Sequence, residues 1–482
     1  METPVYDFVT EYCNREMARL HMPGHKGREF LGCESRDITE IYGADVLHQA
    51  EGILKESQEN AAKLFQSGQT LYSTEGSSLC IKAMLMALLQ GRAGTVVTEK
   101  KENGAHHVTR KNTIGIYAAT AGIADGNTGR SYILAARNVH RAMIDACALL
   151  DLDIVFLTDP ESGHLCSSMP ERTQLSRFLQ QAERMPLGVY LTSPDYLGSM
   201  ADIQGLAVVC EDYGVPLVVD NAHGAYLGFL DPPVHPIHLG AAMCCDSAHK
   251  TLPVLTGGAY LHIAPAWQDR YAEYASRAMA VFGSTSPSYL TLQSLDLCNQ
   301  YLADHYRERL HTATRQVERI RQTLRQLGIL LLDTEPLKIV VHAAAAGYDG
   351  METAEEMRRY GMECEYADPE YVVLMYTAEN TEKDNRRIRQ WGAETMLRNR
   401  RDPMIYPKLS FGTIERACTI REAVFGPQES ILVEEAAGRV CASECVTCPP
   451  AVPIAVSGER ITLEMVSLFQ RYGIREVRVL AN

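Results

Sequence analysis

The sequence predicts an α/β fold, with a large domain on a mostly parallel sheet and a smaller C-terminal α/β unit. Three observations predict it. Short apolar runs of four to six residues recur with helical stretches between them, the pattern of strands joined by crossover helices. Several of these runs end on polar residues, at the strand ends beyond which such sheets bind ligands. The 482 residues are 46% hydrophobic and 22% charged, as in an ordinary globular chain long enough for two or three domains.

Taken in order, the first fifty residues are rich in loop signals, the most distinctive being the turn Met22-Pro23-Gly24-His25-Lys26-Gly27. Helical spacing runs from Glu56 to Phe65, and Thr70-Leu71-Tyr72 reads as a strand or turn. Gly76-Ser77-Ser78 then opens a long apolar helix over Leu79–Leu89. Such a start is either a plain helix cap or a place for a phosphate, because it presents backbone N–H groups and hydroxyls. Residues 94–130 read as an exposed polar insertion. Its adjacent His106 and His107 would point apart in a strand and suit one metal poorly.

The α/β rhythm returns with strands at Tyr132–Ala135, Ile154–Leu157 and Pro186–Thr192, and helices at Ala142–Leu150 and Ile203–Tyr213. The run Val215–Val219 ends on Asp220, and Lys250 stands thirty residues further on. A buried strand ending in a carboxylate, with a lysine beyond it, is what pyridoxal phosphate (PLP) requires. The lysine holds its aldehyde as a Schiff base, and the acid keeps its ring nitrogen protonated. Two ordinary loop residues would give the same pattern. His140, Ser193 and Asp220 fall at strand ends that this fold would bring together. Past a strand at Gly257–His262 and a polar loop at Phe282–Tyr289, one long helix is expected from Leu290 to Leu327, stopped by Gly328. Strands at Leu337–His342 and Tyr371–Tyr376 begin the smaller unit. The expected division is an N-terminal arm (1–50), a large domain (51–300) and C-terminal domain(s) (301–482), with the boundary inside that helix.

The formal charge of −14 excludes a nucleic-acid surface, which needs clustered Lys and Arg. The N-terminus lacks a signal-peptide pattern, and no apolar run reaches about 20 residues, so no membrane association is expected. Fourteen cysteines in a chain this long fit reduced thiols in the cytoplasm. Cys441, Cys445 and Cys448 have the C-x3-C-x2-C spacing of an iron–sulfur ligand set. They lie near the C-terminus and run into Pro449-Pro450, a context that favours unligated thiols, so no metal site is assigned.

Nine motifs in order carry a resemblance: His21 to Gly27, Asp37 to Ile41, Glu51 to Glu56, Gly76 to Ser78, Arg137 to His140, Thr192 to Pro194, Asp220 to Gly224, Ser247 to Pro253 and Ser284 to Leu290. Looser matches follow at Ala437 to Arg439 and Ser457 to Glu459. The chain resembles the ornithine/lysine/arginine decarboxylases of fold type I (aspartate aminotransferase-like, PLP-dependent), short Gram-positive type. The resemblance implies decarboxylation of a basic amino acid (arginine, lysine or ornithine), the alternatives being another PLP-dependent reaction on an amino acid (transamination or elimination) or a non-catalytic PLP-binding relative, and it implies a homodimer or an assembly of dimers. It implies that Lys250 bonds the cofactor aldehyde, Asp220 pairs with the ring nitrogen and His140 stacks on the ring. It further implies that Gly76, Ser77, Ser78, Ser247 and His249 hold the phosphate, that His223 lies near the cofactor, and that Thr285 and Ser286 reach the site across a dimer interface. Four positions depart from the family pattern: Asn221, Tyr226, Arg141 and the segment at Cys448.

Overall fold

Seven strands make the main sheet, and their order gathers the polar ends of the parallel ones along one side. The structure, a computed structural model, describes residues 1–93, 96–102, 105–111, 129–157, 168–395, 401–404, 411, 414–443, 446–447 and 452–481. In chain order the strands are β1 (Gln69–Ser73), β2 (Val96–Glu102), β3 (Ala105–Lys111), β4 (Tyr132–Ala136), β5 (Asp153–Leu157), β6 (Val189–Thr192), β7 (Leu217–Asp220), β8 (Met243–Asp246) and β9 (Ala259–Ile263). The main sheet runs β1-β9-β8-β7-β6-β4-β5. From β5 to β8 neighbouring strands are parallel, while β9 and β1 are added antiparallel. The mostly parallel sheet expected from the sequence is therefore present. β4 has β5 on one side and β6 on the other, a change of winding direction that opens a crevice beyond the strand ends.

The sequence forms this sheet because its strands are apolar on both faces. β7 reads Leu217-Val218-Val219-Asp220 and is buried at all four positions. Val218 packs into a cluster with Leu79, Met84 and Leu88 of the helix Gly76–Ala93, whereas Leu217 and Val219 join Leu206 and Cys210 of the helix Ile203–Asp212. Each such aliphatic side chain contributes about 1.5–3 kcal/mol on full burial. Packing on both faces fixes the register, and with it the direction in which Asp220 leaves the sheet.

The helix expected over residues 290–327 is two helices, Tyr289–Ala303 and Tyr306–Gln326. His305 adopts φ 58°, in the left-handed region, and breaks the hydrogen-bond ladder between them. The apolar stripe that suggested one helix, Val317, Ile320 and Leu324, belongs to the second helix alone. Gly328, φ 81°, follows its end as expected.

Beyond it, β10 (Lys338–His342), β11 (Tyr366–Ala367) and β12 (Tyr371–Met375) form an antiparallel sheet in the order β10-β12-β11. Further on, β13 (Gln428–Leu432) pairs with β16 (Glu476–Leu480), and β14 (Val446–Thr447) with β15 (Pro453–Ala455). A buried ion pair ties this last part to the main sheet. Arg137, just after β4, meets both carboxylate oxygens of Glu459 at 2.9 and 2.8 Å and donates to the carbonyls of Pro453 and Ile454. In the 94–130 insertion β2 and β3 form a hairpin; residues 112–128 lie outside the described residues.

Candidate active site

Asp220 is delivered to the crevice by β7 and is 2% exposed. Its Oδ2 accepts a hydrogen bond from the Tyr190 hydroxyl at 3.2 Å, and its Oδ1 accepts from the Ala222 amide at 3.2 Å. The Cys245 thiol stands 3.7 Å from the same Oδ1. Tyr190 comes from the neighbouring strand β6. Its hydroxyl stays protonated, because burial and then the Asp220 charge push its pKa well above the usual phenol value.

Lys250 lies in the single helical turn Ala248–Thr251 that follows β8. Its Nζ is 3.0 Å from Nε2 of His223, which leaves β7 three residues after Asp220. Burial, and then the charges of Lys338 and Lys250, hold His223 well below the usual histidine value, so its ring is neutral. Nε2 then accepts from the lysine ammonium, or donates to the amine once that proton has gone. Burial also lowers the pKa of Lys250, while the charges of Asp220 and Glu365 work against that shift. The other ring nitrogen of His223, Nδ1, is buried and has no partner.

At the opposite end, the Ser247 hydroxyl donates to Ser77 Oγ at 2.8 Å and joins segments 170 residues apart. Ser77 and Ser78 begin the helix Gly76–Ala93, whose first N–H groups have no partner within the helix. Gly76 adopts φ 72°, and a Cβ built there would meet nothing within 4 Å. Positive φ at a helix start, with open space beside two hydroxyls, makes a concave anion cradle. His249 donates from Nδ1 to the Gly258 carbonyl at 3.0 Å, so its Nε2 can donate only when the ring is protonated. His140 caps the helix Arg141–Leu150, its Nδ1 accepting from the Ala142 amide at 3.1 Å, which places the ring proton on Nε2. Although solvent reaches this ring, desolvation lowers its pKa; the Asp220 charge opposes that shift and the Lys250 charge adds to it.

Thr285 and Ser286 are not brought to this site. Both are exposed in the loop before Tyr289, and no bond links them to Ser77, Ser247 or Lys250. The loop is anchored one residue earlier, where the Ser284 amide donates to Glu75 at 2.7 Å. The turn at Met22–Gly27 is occupied elsewhere, with His25 Nε2 3.2 Å from Asp37 of the next motif. Cys445 and Cys448 lie outside the described residues.

The departures from the family pattern are engaged in bonds of their own. Asn221 donates to Asp246 Oδ1 at 2.7 Å, and the Tyr226 hydroxyl donates to Glu335. Arg141 stands 3.6 Å from Asp145, one helical turn on. Residues that sequence reasoning missed line the same crevice. Tyr196 sets its ring edge-on to His223, centroids 5.3 Å apart, and donates to Glu365 at 2.8 Å. Lys338, fully buried, donates to the Asp195 carbonyl at 3.0 Å and lies 3.8 Å from Glu335. Tyr196 follows the Ser193-Pro194 motif by two residues, which was the available signal. Lys338 lies within an apolar strand and gave none.

These groups combine a half-buried amine next to a neutral imidazole, a buried acid, and an anion cradle. A family model described as "Orn/Lys/Arg decarboxylase, major domain" matches residues 3–121 and 117–382, and one described as "Orn/Lys/Arg decarboxylase, C-terminal domain" matches residues 405–472. The chain is 26% identical over 525 residues to the "Uncharacterized protein YaaO" of Bacillus subtilis (strain 168), covering 100% of this chain and 96% of that protein. It is 25% identical over 497 residues to an arginine decarboxylase of the same organism, covering 97% and 92%. Among solved structures it resembles the constitutive lysine decarboxylase of E. coli, with TM-score 0.72 and 17% identity over 100% of this chain and 82% of that one, a likeness of fold.

Proposed function

From the premise that the chain belongs to the Orn/Lys/Arg decarboxylase family and is thereby a PLP-dependent amino-acid decarboxylase, we propose that its substrate is a basic amino acid (arginine, lysine or ornithine), converted to the amine and CO2. The observation that carries this reading is the 3.0 Å approach of Lys250 to His223 within reach of the Asp220 charge, together with the Ser77–Ser247 bond at the start of the helix Gly76–Ala93.

The residues present fit pyridoxal phosphate. The open space at Gly76 and the two bonded serine hydroxyls suit a phosphate, and the unpartnered Nδ1 of His223 provides a buried polar contact. Lys250 would hold the aldehyde carbon, Asp220 the ring nitrogen and His140 the ring face. Gly76, Ser77, Ser78, Ser247 and His249 would hold the phosphate. When bound, the cofactor supplies a ring that accepts the electron pair left behind as the carboxylate departs.

The chain's own contribution is placement and proton control. Asp220, held by Tyr190 and the Ala222 amide, keeps a fixed negative charge in a site where a protonated partner is needed. His223, held neutral, accepts a hydrogen bond from the protonated Lys250 amine or donates one to the free amine, and so orients it in either state. Tyr196 packs against His223 and shields that contact on one side. Glu365, exposed and hydrogen-bonded to Tyr196, supplies negative charge near the lysine for a cationic substrate. The exposure of Thr285 and Ser286, in a loop whose Ser284 amide is bonded to Glu75 beside the cradle, leaves them open to a partner subunit and supports a homodimer in which each serves the other subunit. The separate sheets support an arm (1–50), a cofactor domain (51–300) and C-terminal domains (301–482). Among the described residues no helix is long and apolar enough to cross a membrane, and we assign the enzyme to the cytoplasm.

The test is a screen of purified protein with added pyridoxal phosphate against arginine, lysine, ornithine and neutral amino acids. CO2 and the matching amine are expected from a basic substrate alone. Turnover confined to neutral substrates, or keto-acid formation without CO2, would contradict the reading.

A further inference from the structure

A second cluster of polar side chains lies in the main sheet beside the one described, and the proposed reaction does not use it. Cys244 and Asp246 are two residues apart on β8, so both project from one face. His262 is the cross-strand partner of Cys244 on β9, and His235 enters from the segment before β8. All four are 0% exposed. Asp246 Oδ2 lies 3.0 Å from His235 Nε2 and 3.2 Å from His262 Nε2, and Cys244 Sγ lies 3.9 Å from His235 Nε2. The ligand atoms of His235, Cys244 and Asp246 all lie within 4.8 Å of one another.

We propose that His235, Cys244 and Asp246 hold a buried structural zinc ion and that His262, now 3.2 Å from Asp246, turns in as its fourth ligand. Three arguments carry it. The first is geometric. Zinc's usual bond lengths put two nitrogen or oxygen ligands about 3.3 Å apart and a nitrogen and a sulfur about 3.6 Å apart in a tetrahedron, close to the separations of 3.0, 3.2 and 3.9 Å found here, while His262 still lies outside the group whose ligand atoms are all within 4.8 Å of one another. The second is charge. The Asp246 carboxylate is out of reach of water, and the groups against its oxygens are Asn221 and these two histidines. A divalent cation with a thiolate and a carboxylate sums to zero.

The third is the outer shell. Asn221 holds Asp246 by Oδ1 and leaves Oδ2 toward the histidines, and His262 Nδ1 meets Thr70 Oγ1 at 2.8 Å. Phe65 lays its ring 4.4 Å from that of His262, giving the apolar surround that such sites have. One thiolate, two imidazoles and a carboxylate select zinc over magnesium or calcium. On binding, the thiol proton leaves to solvent and each ring proton moves to Nδ1, where His262 donates it to Thr70.

The experiment uses the full chain, unfolded with a chelator, refolded with zinc and pyridoxal phosphate, and washed. Elemental analysis should find about one zinc per chain. X-ray absorption on this wild-type protein should show one sulfur and three nitrogen or oxygen neighbours, which requires no variant. Cys244→Ser should lose that sulfur or the metal. Refolded wild type without bound zinc overturns the proposal. So does a neighbour shell of another composition, or a Cys244→Ser protein that keeps both zinc and its sulfur. None of these results depends on decarboxylase activity.

Discussion

Lys250 Nζ and His223 Nε2 form a 3.0 Å contact, with the Tyr196 ring set edge-on against the imidazole. A buried neutral imidazole beside a half-buried lysine orients the amine in both of its protonation states, and its removal leaves the lysine without that partner. Substituting His223→Ala should lower kcat on the order of 100-fold, with a smaller change in cofactor affinity. Steady-state kinetics with a cofactor titration checks this. Because burial and nearby lysines hold this histidine well below its usual value, it should add no step near pH 6.5 to the kcat/KM profile.

Arg137 and Glu459 are a desolvated pair, 3% and 2% exposed at their side chains, joining residues 322 apart. Removing one partner leaves the other charge buried and uncompensated, which costs about 3–5 kcal/mol. Glu459→Ala should therefore lower Tm and expose residues beyond 414 to limited proteolysis. A double substitution to Arg137→Met and Glu459→Leu should recover most of the loss, whereas a pair that contributed little would leave both single variants stable.

Asp296 ties the N-terminal helix Pro4–Asn14 to the helix Tyr289–Ala303, accepting from the Val5 and Tyr6 amides and from Ser57. Desolvation outweighs those bonds and raises its pKa to about 6. The folded state thus binds the proton more tightly than the unfolded chain does. This contribution is fully present below the ordinary carboxylate value of about 3.9 and is lost as pH rises through 6. Asp296→Asn should flatten that part of the stability–pH curve, a difference of at most about 3 kcal/mol between pH 4 and 7. Denaturant melts at the two pH values would show it; parallel curves for both proteins would refute it.

The sequence made the parallel strands legible because β4, β6 and β7 are apolar on both faces and their flanking helices carry the breaker signals. It pointed to Asp220 and Lys250 through a strand that ends on a carboxylate and to Ser77 through a helix start, whereas Ser247 entered through the resemblance alone. Contacts set by packing across long separations were not legible. Nothing local marks Arg137 as the partner of Glu459 or Tyr190 as the donor to Asp220, since each follows from strand order and side-chain reach. The break at His305 was hidden because the residues around it are acceptable helix formers and a left-handed φ at a histidine leaves no compositional trace. Lys338 was hidden for the opposite reason, because its strand reads as apolar and its charge is satisfied by Glu335 and the Asp195 carbonyl.

The central claim is that Lys250 is the amine on which decarboxylation turns, and CO2 release by Lys250→Ala tests it most directly. With the basic amino acid that the wild type decarboxylates, saturating pyridoxal phosphate, and folding verified by circular dichroism, release should fall by at least roughly a thousandfold. A Lys250→Ala protein that releases CO2 within tenfold of the wild-type rate would contradict the account.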